Sequence, residues 1–143
     1  MRKQYSKKDI KELINEFPYL EKIISKKSNV VEDGGIIRSD DEPVLIHKKI
    51  PHLKMLLKQI VLPKITVDMG AVKFVVSGAD VMRPGITRIE EFKEEDLVVI
   101  VDENHGKPLA VGKALLSSEE MKNQKKGKSV KNLHYVGDGY WNI

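Results

Sequence analysis

From Ile65 to the C-terminus the chain breaks into short apolar runs separated by turn-forming residues. Ile65-Thr66-Val67, Leu97 to Val101, Leu109 to Leu116, Leu133 to Val136 and Tyr140 to Ile143 are too short for ordinary helices and read as strands. Arg83-Pro84-Gly85, Asn104-His105-Gly106 and Gly137-Asp138-Gly139 supply turns between them, and Val81-Met82 leads into the first. Short strands at this density restrict the second half of the chain to a small barrel or sandwich. Two stretches interrupt the pattern. Ala71 to Ser77 fits a helix or a strand on periodicity alone. Ser117 or Ser118 caps a helix predicted over Glu119 to Lys126 and ended by Gly127.

The first half has a different rhythm. Ser6-Lys7-Lys8-Asp9 has capping-box spacing, and Ile10, Leu13, Ile14 and Phe17 follow on one helical face. Pro18 starts a new helical segment with Leu20, Ile23 and Ile24 inward. Val30-Val31 and Ile36-Ile37 flank a turn at Gly34-Gly35. Pro43 to Ile46 fits a further strand, Pro51 to Lys58 a short helix, and Ile60 to Leu62 an extended run ending at Pro63. Charge changes sign near the same point. Residues 1–65 hold 14 Lys and Arg against 9 Asp and Glu, whereas residues 66–143 hold 11 against 12. Both changes predict two domains, 1–64 and 65–143.

Hydrophobic residues at 41% and charged residues at 32% are enough to build a core under a solvated surface. With no cysteine, disulfides, thiolate nucleophiles and cysteine-based metal sites are excluded. No apolar run is long enough to span a bilayer, and no apolar stretch follows the basic residues at Met1 to Asp9. A cytoplasmic, membrane-free protein is expected. His47, His52, His105 and His134 are scattered without metal-ligand spacing. No phosphate-binding loop or nucleophile elbow is present, and Glu90-Glu91 with Glu94-Glu95-Asp96 reads as a solvated loop. The chain is therefore expected to be no enzyme and to need no cofactor or metal.

The run from Val67-Asp68-Met69-Gly70-Ala71 through Lys73, Gly78-Ala79-Asp80 and Arg83-Pro84-Gly85-Ile86 resembles the opening of a PUA domain. Asn132-Leu133-His134-Tyr135-Val136-Gly137-Asp138-Gly139-Tyr140-Trp141 resembles the ending of one subfamily, the malignant T-cell-amplified-sequence translation factors related to the N-terminal half of ligatin. Leu13 to Pro18 and Pro51 to Val67 are similar to that family's first domain, and the compact, cysteine-free chain looks most like an archaeal member. The resemblance implies an α+β protein, with a small N-terminal α/β (pre-PUA) domain followed by a C-terminal PUA β-pseudobarrel. It implies a helix at Ala71 to Ser77. It also implies RNA as partner, through the tRNA 3′ acceptor end and small-subunit rRNA, and a second protein resembling ligatin's C-terminal half. A monomer is expected.

Within the PUA-like segment, Gly78 permits a positive φ and Ala79 is small, so a sugar–phosphate chain can approach there. Lys73 can meet a phosphate as a point charge and Arg83 with a bidentate fork. Asp80, Pro84 and Gly85 complete the candidate RNA-binding set. Lys125 and Lys126 join it from the basic run that also holds Lys122, Lys128 and Lys131, and Arg2, Lys3, Lys7, Lys8 and Lys11 at the N-terminus can face ribosomal RNA phosphates in the same way. The bland readings are that the glycines only make turns, the lysines only solvate a surface, and Trp141 is a core or edge aromatic rather than a stacking platform. Two other roles remain open: an accessory module presenting tRNA or rRNA to a separate modification enzyme, and a protein adaptor that uses the first domain and binds no RNA.

Overall fold

The computed structural model describes residues 1–143. The chain forms two compact units, Met1–Val61 and Leu62–Ile143.

In the first unit five antiparallel strands follow one another in a meander: β1 (Arg2–Gln4), β2 (Val30–Asp33), β3 (Ile36–Ser39), β4 (Glu42–Ile46) and β5 (Ile50–Pro51). The turns are tight, with positive φ at Gly34 and Gly35, at Asp40 and Asp41, and at His47 and Lys48. Helix α1 (Lys7–Glu16) starts at Ser6, whose hydroxyl accepts from the Asp9 amide while the Asp9 carboxylate accepts from the Ser6 amide, the expected capping box. Pro18–Lys22 is a 3₁₀ turn, and α2 (Leu53–Lys58) packs on β4. Ile10, Leu13, Leu20, Ile37, Leu45, Leu53 and Leu56 are buried. Ile60 to Leu62, expected to extend, joins no sheet, and β1 has no apolar signal to reveal it.

The second unit holds six strands: β6 (Lys64–Val67), β7 (Val81–Met82), β8 (Ile86–Ile89), β9 (Leu97–Asp102), β10 (Pro108–Ala114) and β11 (Lys128–Tyr135). Their order is β7-β11-β10-β9-β6-β8, with β6 parallel to β9 and the other pairs antiparallel. The two edge strands, β7 and β8, are joined by a single 3₁₀ turn at Arg83–Gly85. A three-residue link between opposite edges forces the sheet to curl round on itself, which makes the pseudobarrel. Ile65, Val67, Val81, Val98, Ile100, Ala110 and Val130 fill it. Helix α3 (Met69–Val75) follows β6, and α4 (Ser118–Asn123) follows β10.

Three expectations need correction here. Helix α4 stops at Asn123, before Lys126, because Gln124 turns to extended φ and ψ and its amide side chain bonds the carbonyls of Lys126 and Lys128. The basic run consequently splits between a loop and β11. Tyr140 to Ile143 is no strand. Gly137-Asp138-Gly139 is no hairpin either, because Asp138 folds the chain end into turns by accepting from the amides of Tyr135 (3.0 Å) and Tyr140 (2.9 Å). The strand β8 at Ile86–Ile89 has no clear sequence signal, since Thr87 and Arg88 are polar and exposed on an edge.

Candidate nucleic-acid interface

Helix α3 sets one wall of an apolar groove in the second unit. Asp68 caps its start, accepting from the Ala71 amide at 2.9 Å, while the Asp68 amide donates to the Gly85 carbonyl at 2.9 Å. At the other end the Ala79 amide donates to Phe74 O and the Gly78 amide to Val75 O, at 3.0 and 3.1 Å. This pair of bonds is a Schellman motif, which requires a left-handed residue, and Gly78 has φ of +96°. A side chain at Gly78 would also meet the Tyr135 ring at 3.0 Å. The expected open approach over Gly78 is therefore occupied by Tyr135, and the glycine is demanded by the helix end and by that ring.

The opposite wall is the return of the chain through Ala79, Asp80, Val81 and Met82, with Pro84 and Gly85. Gly85 passes so close to α3 that a Cβ on it would stand 3.0 Å from the Ala71 methyl. Between the walls lies a groove of about 620 Å³. It carries unusually exposed apolar side chains, with Phe74 57% exposed and Met82 47%, and Met69 is a further exposed apolar side chain on α3 at 44%. The Lys73 Nζ sits 5.1 Å from the Phe74 ring centroid. Lys128 lines the groove and bonds Asp80 at 3.2 Å. The Asn132 amide donates to Asp80 at 2.9 Å, and this bond, with Lys128 beside it, holds the Asp80 carboxyl below its usual range despite partial burial. The Asn132 side chain donates to the carbonyls of Val75 and Ala79, both at 3.0 Å, tying the end of α3 to β11.

The groove thus brings together Ala79, Asp80, Pro84 and Gly85, while Lys73 stands beside the Phe74 ring and does not line it. Arg83 is turned elsewhere: its Nε donates to Met121 O at 2.7 Å and its Nη1 to Ile86 O at 3.2 Å. The guanidinium is clipped across the barrel between α4 and β8, which leaves it poorly placed for the bidentate phosphate fork expected of it. Lys125 and Lys126 are exposed on the loop between α4 and β11 and do not line the groove. Phe74, Met82 and Met69 are absent from the sequence-based candidates. A seven-residue helix with Met69, Val72, Phe74 and Val75 spread around it cannot bury them all, and that excess is the available signal.

A family model described as the PUA domain matches residues 63–136. An uncharacterised protein of Methanocaldococcus jannaschii is 49% identical over all of this chain and 98% of its own length. Translation machinery-associated protein 20 of Saccharomyces cerevisiae is 35% identical, and malignant T-cell-amplified sequence 2 of Homo sapiens 32%, each over 92% of this chain and 83% of the relative. Among solved structures, a hypothetical protein of Pyrococcus horikoshii superposes with a TM-score of 0.84 at 34% identity, over 99% of this chain and 98% of that one. A chain in the structure of an H/ACA RNP bound to a substrate RNA superposes with a TM-score of 0.54 at 33% identity, over 64% of this chain and 28% of that one. The pseudobarrel, the matched segment and the near full-length relatives agree: this chain belongs to the PUA-domain family, alongside the malignant T-cell-amplified sequence and translation machinery-associated protein 20 proteins.

Proposed function

We propose that this protein is a non-catalytic RNA-binding protein of the translation machinery, cytoplasmic and monomeric. In this reading the groove beside α3 receives the single-stranded 3′ end of tRNA near the small ribosomal subunit. The observation that carries it is the exposed Phe74 ring in an apolar groove lined by Lys128, with the Lys73 ammonium beside the ring. An aromatic face takes an unstacked base, and the two ammonium groups take the phosphates beside it. Such a site reads single-stranded ends and shape more readily than base sequence. The names of the yeast relatives support the link to translation. A protein resembling the C-terminal half of ligatin is the partner that family likeness suggests.

The likeness to a chain of an RNA-bound H/ACA RNP favours a second reading, an accessory module presenting RNA to a separate modifying enzyme. Pull-down from native lysate separates the two. Recovery of small ribosomal subunits supports the translation reading, and recovery of a modification enzyme without subunits supports the other. Titration against intact tRNA and tRNA lacking its 3′ single strand, at two salt concentrations, tests RNA binding itself. Equal affinity for both RNAs counts against the groove.

A further inference from the structure

Strands β10 and β11 carry a like-charge pair. Their register sets Lys113 directly opposite Lys131. Directly opposed side chains have Cβ atoms about 4.5–5.5 Å apart, and like charges there destabilise a sheet. Neither lysine has a carboxylate within ion-pair distance. The acidic loop before β9 adjoins Lys113, which pairs with Leu97, yet Asp96 turns back to accept from the Lys93 amide at 2.9 Å. On the other side Asp80 lies near enough to Lys131 to feel its charge, but Lys128 and the Asn132 amide already occupy it. One carboxylate therefore serves Lys128 and Lys131, Lys113 has no ion-pair partner, and net positive charge remains along a strip. That strip begins at the groove, where Lys128 stands, follows β11 to Lys131 and crosses to Lys113 on β10.

We infer that the Lys131–Lys113 pair is a phosphate track for the RNA strand leaving the groove, held in place at a cost to the fold. Two flexible ammonium groups on neighbouring strands can each take a phosphate of one passing backbone. An anionic strand removes the repulsion that the sheet otherwise carries. Continuity with Lys128 at the groove selects RNA over another polyanion. The exit path runs over the sheet, away from the α4–β11 loop that bears Lys125 and Lys126. This inference rests on the groove reading above.

The test uses the full chain and a single-stranded RNA oligonucleotide, with Lys113→Gln, Lys131→Gln, the double variant, and a double variant carrying arginine at both positions. Removing one phosphate-neutralising ammonium should flatten the dependence of log affinity on log salt by about 0.7, so the double glutamine variant should flatten it by about 1.4. Its melting temperature should stay level or rise, because the repulsion is gone, and the arginine variant should keep the wild-type slope. A wild-type salt slope in the double glutamine variant overturns the inference. So does a fall in its melting temperature with no change in slope. Wild type that binds no RNA sinks the groove reading and the track together. Binding that ignores Phe74→Ala, yet shows a flatter slope in the glutamine variants, sinks the groove alone.

Discussion

The Tyr135 ring lies 3.0 Å from the point where a Cβ on Gly78 would stand, and Gly78 itself holds φ of +96°. Two separate penalties therefore meet at one residue. Gly78→Ala should destabilise the fold by about 1–3 kcal/mol, from backbone strain together with displacement of the ring. Tyr135→Ala in the same chain should recover only the steric part. Chemical denaturation of the single and double variants measures both, and an alanine at position 78 with wild-type stability contradicts the account of the α3 end.

Arg83 acts on the fold before it acts on any ligand. Arg83→Ala strips hydrogen bonds from the Met121 and Ile86 carbonyls and should cost about 1.5–3 kcal/mol. Arg83→Lys should recover only part of this, since one ammonium cannot span both acceptors. Urea titration decides the matter. A variant as stable as wild type that binds RNA weakly would return Arg83 to the binding surface.

Tyr19 offers the opposite sign. Its hydroxyl is buried without a hydrogen-bond partner, and burial pushes its pKa up. Tyr19→Phe removes an unsatisfied polar atom and keeps the ring that packs 6.1 Å from Phe17. Stability should be unchanged or higher by up to about 1 kcal/mol. A clear loss in thermal denaturation would show that the hydroxyl is bonded in solution.

Acid should weaken the protein in two steps. Burial pushes His134 below the ordinary imidazole value, although its Nδ1 lies 2.8 Å from Asp138. Burial pushes Asp138 up, but His134 and the amides of Tyr135 and Tyr140 outweigh that and hold it down. Asp102 is also held low, by the amides of His105 and Lys107. For a group with a depressed folded pKa, the unfolded chain binds the extra proton first as pH falls. The His134 contribution is thus complete above about pH 6.5 and is lost as pH drops below it. The carboxylates follow below their usual value of 3.8. Stability measured between pH 7 and 5 should decline before any carboxylate titrates. A flat profile there means that folding leaves the His134 pKa at its ordinary value, with the Asp138 pairing offsetting burial.

Much of this is legible in the sequence. Ser6 and Asp9, the Gly34-Gly35 hairpin and the five apolar residues Leu97 to Val101 carry local signals strong enough to survive folding. Of the PUA-like candidates, Ala79, Asp80, Pro84 and Gly85 line one groove. Other features depend on partners distant in sequence. Arg83 is claimed by Met121 and Gly78 is covered by Tyr135, and neither pairing leaves a trace in local periodicity. An apolar residue in a short helix ordinarily packs inward, and only the folded arrangement shows Phe74 facing outward.

The most direct test of the central proposal is Phe74→Ala, titrated alongside wild type against tRNA that has its single-stranded 3′ end. Phe74 is more than half exposed, so its loss should leave thermal stability essentially unchanged. One stacked base contributes about 1–3 kcal/mol, so affinity should fall by roughly 5- to 150-fold. The deficit should vanish on tRNA trimmed of that end. Undiminished binding of intact tRNA by a folded Phe74→Ala variant would place the RNA elsewhere on the molecule and contradict the proposal.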